Sequence, residues 1–223
     1  MPPKKPFTIL FEDQHLVVIN KAAGVLSQGD HSNQRDLVSY LRKHFGRHYV
    51  GLIHRLDRNV SGAMVVAKRT KAASRLSEAL REGKIKRIYY AIVEGQLTKK
   101  QTINNWLVKD ARRNLVRVVT KEVPQAKEAI LELRPLASGI WRRQPVSCIE
   151  IRLKTGRSHQ IRAQMAAFGH PVLGDMKYGH DKHELPRPML HALQIAFPYP
   201  MTQEMMQYEA PLPDDMKKLV HRL

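Results

Sequence analysis

A chain of 223 residues, 43% of them hydrophobic, holds enough apolar material for a sizeable core, which excludes global disorder. Its 38 Lys+Arg against 20 Asp+Glu leave a formal charge of +18, a field that attracts polyanions and favours nucleic acid as partner. A single cysteine, Cys148, excludes an internal disulfide framework, and no apolar run approaches the ~20 residues of a membrane span, so a cytoplasmic protein with no membrane partner is expected.

Residues 1–6, rich in Pro and Lys, read as a tail, and residues 7–223 as one domain without repeats or Gly/Ser linkers. Residues 7–11 and 15–20 form a candidate strand pair across the polar turn Glu12-Asp13-Gln14. Residues 35–45 read as a helix with Leu37, Val38, Leu41 and Phe45 on one face and Gly46 as its stop. A buried strand is expected at 62–67. Helical spacing of Ala72, Ala73, Leu76, Ala79 and Leu80 predicts a helix over 70–82, closed by Gly83. Residues 85–93 have the β-branched and aromatic content of a strand. Ala129, Leu131 and Leu133 alternate with polar positions, as do Ser147, Ile149, Ile151 and Leu153, which predicts two half-buried strands. Residues 158–168 read as a helix capped by Ser158, with Ile161, Met165 and Phe168 as its buried stripe. Residues 190–197 read as a strand, and Pro213-Asp214-Asp215 opens a last helix with Pro near its first position. Strands outnumber helices without regular alternation, so the expected class is α+β with a long mixed or antiparallel split sheet flanked by helices.

Three segments carry polar residues that packing does not demand. Residues 51–62 set Asp57 among His54, Arg55 and Arg58, between a helix and a strand. Neighbouring arginines would keep Asp57 ionised, as a nucleophile or base requires, and the same residues also suit a surface salt-bridge cluster. Residues 154–162 join a strand end to a helix start, where amides and the guanidinium groups of Arg157 and Arg162 suit an anion or simply an ordinary basic helix start. Residues 86–91, from Lys86 through Tyr89, place tyrosines on a basic strand, where they suit base stacking or core packing.

Taken together, the HRLD loop with its Ser61-Gly62 ending, the K-x-x-Y-x-A strand at 86–91, the block from Thr155 through Gly179 and the Leu190-His191-Ala192 segment resemble the RluA family of RNA pseudouridine synthases. The resemblance runs in order from about Ile9 to about Pro213. It implies that Asp57 is the catalytic aspartate, that Tyr89 lies against the uracil, and that Arg157 pairs with the aspartate. It further implies that Arg55 contacts RNA. His54, Arg58, Lys86 and Arg162 are expected as further RNA contacts. No cofactor and no metal are implied. Three positions depart from the family pattern: Ala22 for Pro, Val60 for Thr and Tyr199 for His.

The chemistry fits one carboxylate. The N1–C1′ bond breaks, the uracil turns over, C5 joins C1′, and the C5 proton leaves, with no net redox change. The base must be flipped or looped out to be reached. Structured RNA, transfer or large-subunit ribosomal, is the expected partner of a monomer with no obligatory protein partner. No separate RNA-binding module precedes Phe7, so the catalytic domain is expected to grip RNA itself. A non-catalytic basic RNA-binding protein is the alternative. A metal-dependent hydrolase would need ligands such as His44 and His48, four residues apart, but neither an HExxH motif nor a carboxylate cluster accompanies them.

Overall fold

The computed structural model describes residues 5–29, 36–46, 49–179 and 185–221. In chain order the elements are β1 (Phe7–Glu12), β2 (Leu16–Lys21), α1 (Leu37–Phe45), β3 (Gly51–Leu52), β4 (Ser61–Ala67), α2 (Thr70–Arg81), β5 (Lys86–Glu94) and β6 (Gln101–Asp110). They continue with β7 (Leu115–Val119), β8 (Lys127–Trp141), β9 (Gln144–Leu153), α3 (Gln160–Ala167), β10 (Leu190–Pro198), β11 (Met205–Glu209) and α4 (Asp214–Val220). The expected α+β class is borne out. The chain forms two compact units, one of residues through Arg87 plus His191–Leu212, the other of Ile88–Leu190 plus Pro213–Leu223.

In the first unit the sheet is mixed. β2 lies antiparallel between β1 and β4, and β4 runs parallel to β10 through the rungs His191↔Ser61 and Ala192↔Gly62. β3 and β11 add antiparallel partners to β4 and β10. All seven residues of β4 are buried, as befits a central strand covered on both faces. α2 turns Ala72, Leu76 and Ala79 into the cluster of Leu16, Val18, Val65, Ile195 and Phe197. Burying a leucine such as Leu76 contributes roughly 1.5–3 kcal/mol. α1 starts at Asp36, whose side chain accepts the Ser39 amide at 2.7 Å, and stops at the left-handed Gly46. Arg35, expected in this helix, lies outside the described residues, as does His48.

The second unit holds an antiparallel sheet in the order β5-β9-β8-β6-β7. Its alternation is clearest on β8, where Ala129, Leu131 and Leu133 point inward. Two expectations change here. The helix expected from Ser158 begins at Gln160, because His159 takes a left-handed conformation (φ 50°) and no side chain caps the start. Nor does α3 bury a single apolar stripe: Gln160 through Met165 are all buried and Phe168 is only half-buried. The polar members can be buried because each is bonded, as described below. At the last helix Pro213 is the N-cap residue, one place before its expected position.

Candidate active site

The loop carrying Asp57 connects β3 to β4 and is held from below. Ile53, Leu56 and Val60 are buried and anchor it, whereas Arg55, Arg58 and Asn59 are exposed and Asp57 is half-buried. Ser27 grips the residue before Asp57: its Oγ donates to Leu56 O at 2.6 Å and accepts the Leu56 amide at 3.1 Å. On the other side, Arg58 O accepts the Gly24 amide at 2.8 Å and the Lys21 ammonium at 3.2 Å. Lys21 is fully buried, and its Nζ also donates to the carbonyls of Ala22 (2.9 Å) and Val25 (2.8 Å). An ammonium has three protons, and three carbonyl acceptors are what its burial requires. A turn closed by Val60 N donating to Asp57 O at 3.1 Å completes the loop. The backbone on both sides of Asp57 is therefore fixed, which helps to aim the carboxylate.

Below the loop, Ser61 and His191 form a buried pair. Oγ and Nδ1 are 2.8 Å apart, and Nε2 lies 3.1 Å from Ala210 O. Nε2–H donates to the carbonyl, so Nδ1 accepts the Ser61 hydroxyl. His54 is also buried, and its Nε2 accepts the Val65 amide at 3.3 Å. Burial, then the nearby Arg87 guanidinium, pushes its pKa down to about 3, so the ring is neutral.

The other two segments belong to the second unit. Tyr89 is buried on the same face of β5 as Ala91, opposite Ile151, while Tyr90 points to the other face and hydrogen-bonds Cys148. Burial and that bond raise the Tyr90 phenol. Arg157 is exposed in the turn before α3, with Nε donating to Glu128 O at 3.0 Å. The turn is organised by buried Gln160: its Oε1 accepts the Arg157 amide (2.9 Å) and the Thr155 hydroxyl (2.8 Å), and its Nε2 donates to Ile130 O (3.1 Å). Tyr178 braces the same turn, its hydroxyl bonded to His159 Nδ1 and to the Val116 amide, each at 2.8 Å.

Residues 15–167 match the family described as RNA pseudouridylate synthase. The chain belongs to that family. It is an RNA pseudouridine synthase, an isomerase acting on RNA. The synthase is 38% identical over 98% of its length to the "Uncharacterized RNA pseudouridine synthase YhcT" of Bacillus subtilis, covering 73% of that protein. It is 33% identical to the "Ribosomal large subunit pseudouridine synthase D" of Haemophilus influenzae, covering 98% of this chain and 71% of the relative. Among solved structures it resembles "Human RNA Pseudouridylate Synthase Domain Containing 1" with a TM-score of 0.80 and 25% identity, over 99% of this chain and 96% of the other.

Within the synthase, Asp57, Arg55, Arg58, His54 and Lys86 fall in the first unit, and Tyr89, Arg157 and Arg162 in the second. Arg55, Arg58 and Lys86 are exposed cations, as an RNA contact needs. Two of the expected RNA contacts are buried. His54 is buried and neutral and holds the backbone of β4. Arg162 is buried and forms a bidentate pair with Asp175, Nε at 2.6 Å and Nη2 at 2.8 Å, so its fork is taken by a carboxylate. Gln164 is likewise internal, its Nε2 donating to Ala129 O and Asn105 Oδ1. His44 pairs with Glu12 at 3.1 Å. Lys21, Ser27, Gln160 and Tyr178 hold the site segments, yet sequence reasoning passed over their roles. The one signal was a lysine closing the apolar run of β2.

Proposed function

We propose that the synthase converts uridines of structured RNA, foremost large-subunit ribosomal RNA, to pseudouridine with Asp57 as the catalytic carboxylate. The observation that carries this reading is the clamped loop, in which Ser27 and Lys21 fix the backbone on both sides of a half-buried aspartate flanked by exposed arginines. A carboxylate held this way can attack the sugar or base, or remove a sugar proton. Tyr89, buried on β5, is suited to stack on a flipped uracil, and its hydroxyl to move a proton during rearrangement. Arg157, held by Glu128 and Gln160 in the turn before α3, is the third catalytic residue of this reading. Arg55, Arg58 and Lys86 hold phosphates. The isomerisation conserves every atom except the exchanged C5 and N1 protons, so it needs no oxidant and no energy-rich cosubstrate.

Ribosomal RNA is favoured because several relatives carry a large-subunit name. Residues 7–223 act as one catalytic domain, since the family match at 15–167 draws on both units. The protein works as a monomer in the cytoplasm. Pseudouridine mapping of total RNA from cells with and without the gene tests the reading. A ribosomal position lost with the gene and restored by the wild type supports it. A lost position in transfer RNA alone redirects the substrate, and an unchanged map refutes the reading.

A further inference from the structure

The β8–β9 hairpin continues past its neighbours. β8 pairs with β6 only as far as Leu133, and β9 pairs with β5 only from Val146 onward. Beyond these rungs the two strands pair with each other through Gly139↔Val146, Ile140↔Pro145 and Trp141↔Gln144. The two-residue turn at the tip is Arg142-Arg143, with φ of 45° and 65°. A turn with both central residues at positive φ is of the kind that Asn-Gly fills without strain. Two arginines there are strained, so closing the hairpin does not explain them. Apolar groups surround the tip: Ile140 is 64% and Leu136 42% exposed, and the Arg142 guanidinium lies 5.8 Å over the Trp141 ring. From residue 134 to 152 there are four arginines and one glutamate, and that glutamate, Glu150, is bonded by Arg134 and Arg152. Both tip arginines are exposed to solvent.

We infer that this tip is a second RNA-contacting element, in which Arg142 and Arg143 hold phosphates and the Trp141–Arg142 pair stacks on an unpaired base. Charge selects a polyanion, and planar groups select one with accessible base faces, which a paired duplex lacks. The inference rests on the synthase reading for the identity of the partner, but its measurement does not require turnover.

The test is Arg142→Asn with Arg143→Gly, which installs the turn sequence the geometry prefers while removing both charges. Thermal stability should hold or rise, showing that the fold is intact. Affinity for a labelled 30-nucleotide RNA hairpin with a uridine-containing loop should fall about tenfold or more at 100 mM salt, and the slope of log K against log[salt] should flatten by roughly 1.8, two phosphates' worth. Arg142→Lys with Arg143→Lys should keep the slope. Unchanged affinity and slope in the Asn-Gly variant would overturn the inference, as would an equal loss on a fully paired duplex. So would a loss confined to binding of anionic phosphatidylglycerol vesicles. A wild type that binds RNA through this tip but makes no pseudouridine would sink the catalytic reading alone.

Discussion

Gly62 lies so close to Ala192 that a Cβ on it would fall 2.2 Å from the carbonyl oxygen and 2.5 Å from the amide nitrogen. Its φ of 126° is also one that residues with side chains rarely adopt. The contact is made across the parallel rung joining β4 to β10, beside the Ser61–His191 bond and five residues from Asp57. Gly62→Ala cannot be relieved by a rotamer change, because the obstacle is backbone. We expect a loss of about 3 kcal/mol in urea unfolding, together with a fall in turnover among molecules that remain folded. Wild-type stability would show that β10 gives way easily.

His54 makes the protein acid-sensitive. Its folded pKa of about 3 lies below the ordinary value of 6.5, so the unfolded chain takes up a proton that the folded one refuses. The stability present above pH 6.5 is lost as pH falls toward 3, at about 1.4 kcal/mol per pH unit from this group. Gln at position 54 offers an amide oxygen where Nε2 accepts the Val65 amide and does not titrate. His54→Gln should flatten the dependence of the urea midpoint between pH 6.5 and 5. Identical pH profiles for both proteins would remove His54 from this role.

The pair of Arg162 and Asp175 is structural. Asp175→Asn leaves a buried guanidinium uncompensated and should cost about 3–5 kcal/mol. Arg162→Met should also destabilise, while RNA affinity of the folded fraction stays within about twofold. A tenfold loss of affinity with a salt slope flatter by about 0.9 would instead make Arg162 a phosphate ligand.

Tyr89 and Tyr90 are adjacent yet face opposite ways, and their conservative variants should differ accordingly. Tyr89→Phe keeps the ring and should bind RNA but lose turnover by ~10²-fold or more, the scale for a positioned acid or base. Tyr90→Phe, which loses only the bond to Cys148, should be nearly silent in single-turnover assays. A dead Tyr90 variant beside an active Tyr89 variant would reverse the assignment.

Regular elements were legible where one period dominated. Ala72, Leu76 and Ala79 marked α2, and Leu131 and Leu133 marked β8, because local spacing alone sorts their two faces. β6 and β7 were not expected: Asn104 and Asn105 interrupt the apolar signal of β6, and the half-buried Asn105 accepts a hydrogen bond from Gln164 of α3. Lys21 closes an apolar run, and its burial was not legible because one of its acceptors, Arg58 O, is 37 residues away. The departure at Tyr199 also has a local explanation. Its hydroxyl donates to Asp13 at 2.5 Å, and Asp13 in turn accepts the amides of His15 and Leu16, so the tyrosine steadies the β1–β2 turn. Burial pushes the Asp13 carboxyl up, but these bonds outweigh it and leave it lowered, while its bond raises Tyr199 to about 12. Motifs marked the Asp57, Tyr89 and Arg157 segments. Which of their neighbours face solvent required three dimensions, as His54 and Arg162 show.

The central claim is that the Asp57 carboxylate performs the chemistry. Asp57→Asn preserves size and shape and removes the charge. It leaves the bonds of Ser27 and Lys21 to the flanking backbone, so the loop should remain in place. The direct measurement is tritium released from RNA carrying C5-labelled uridine, with the variant in excess over RNA and saturating. Release at background level with RNA affinity retained is the expected result, and release at a substantial fraction of the wild-type rate would contradict the claim.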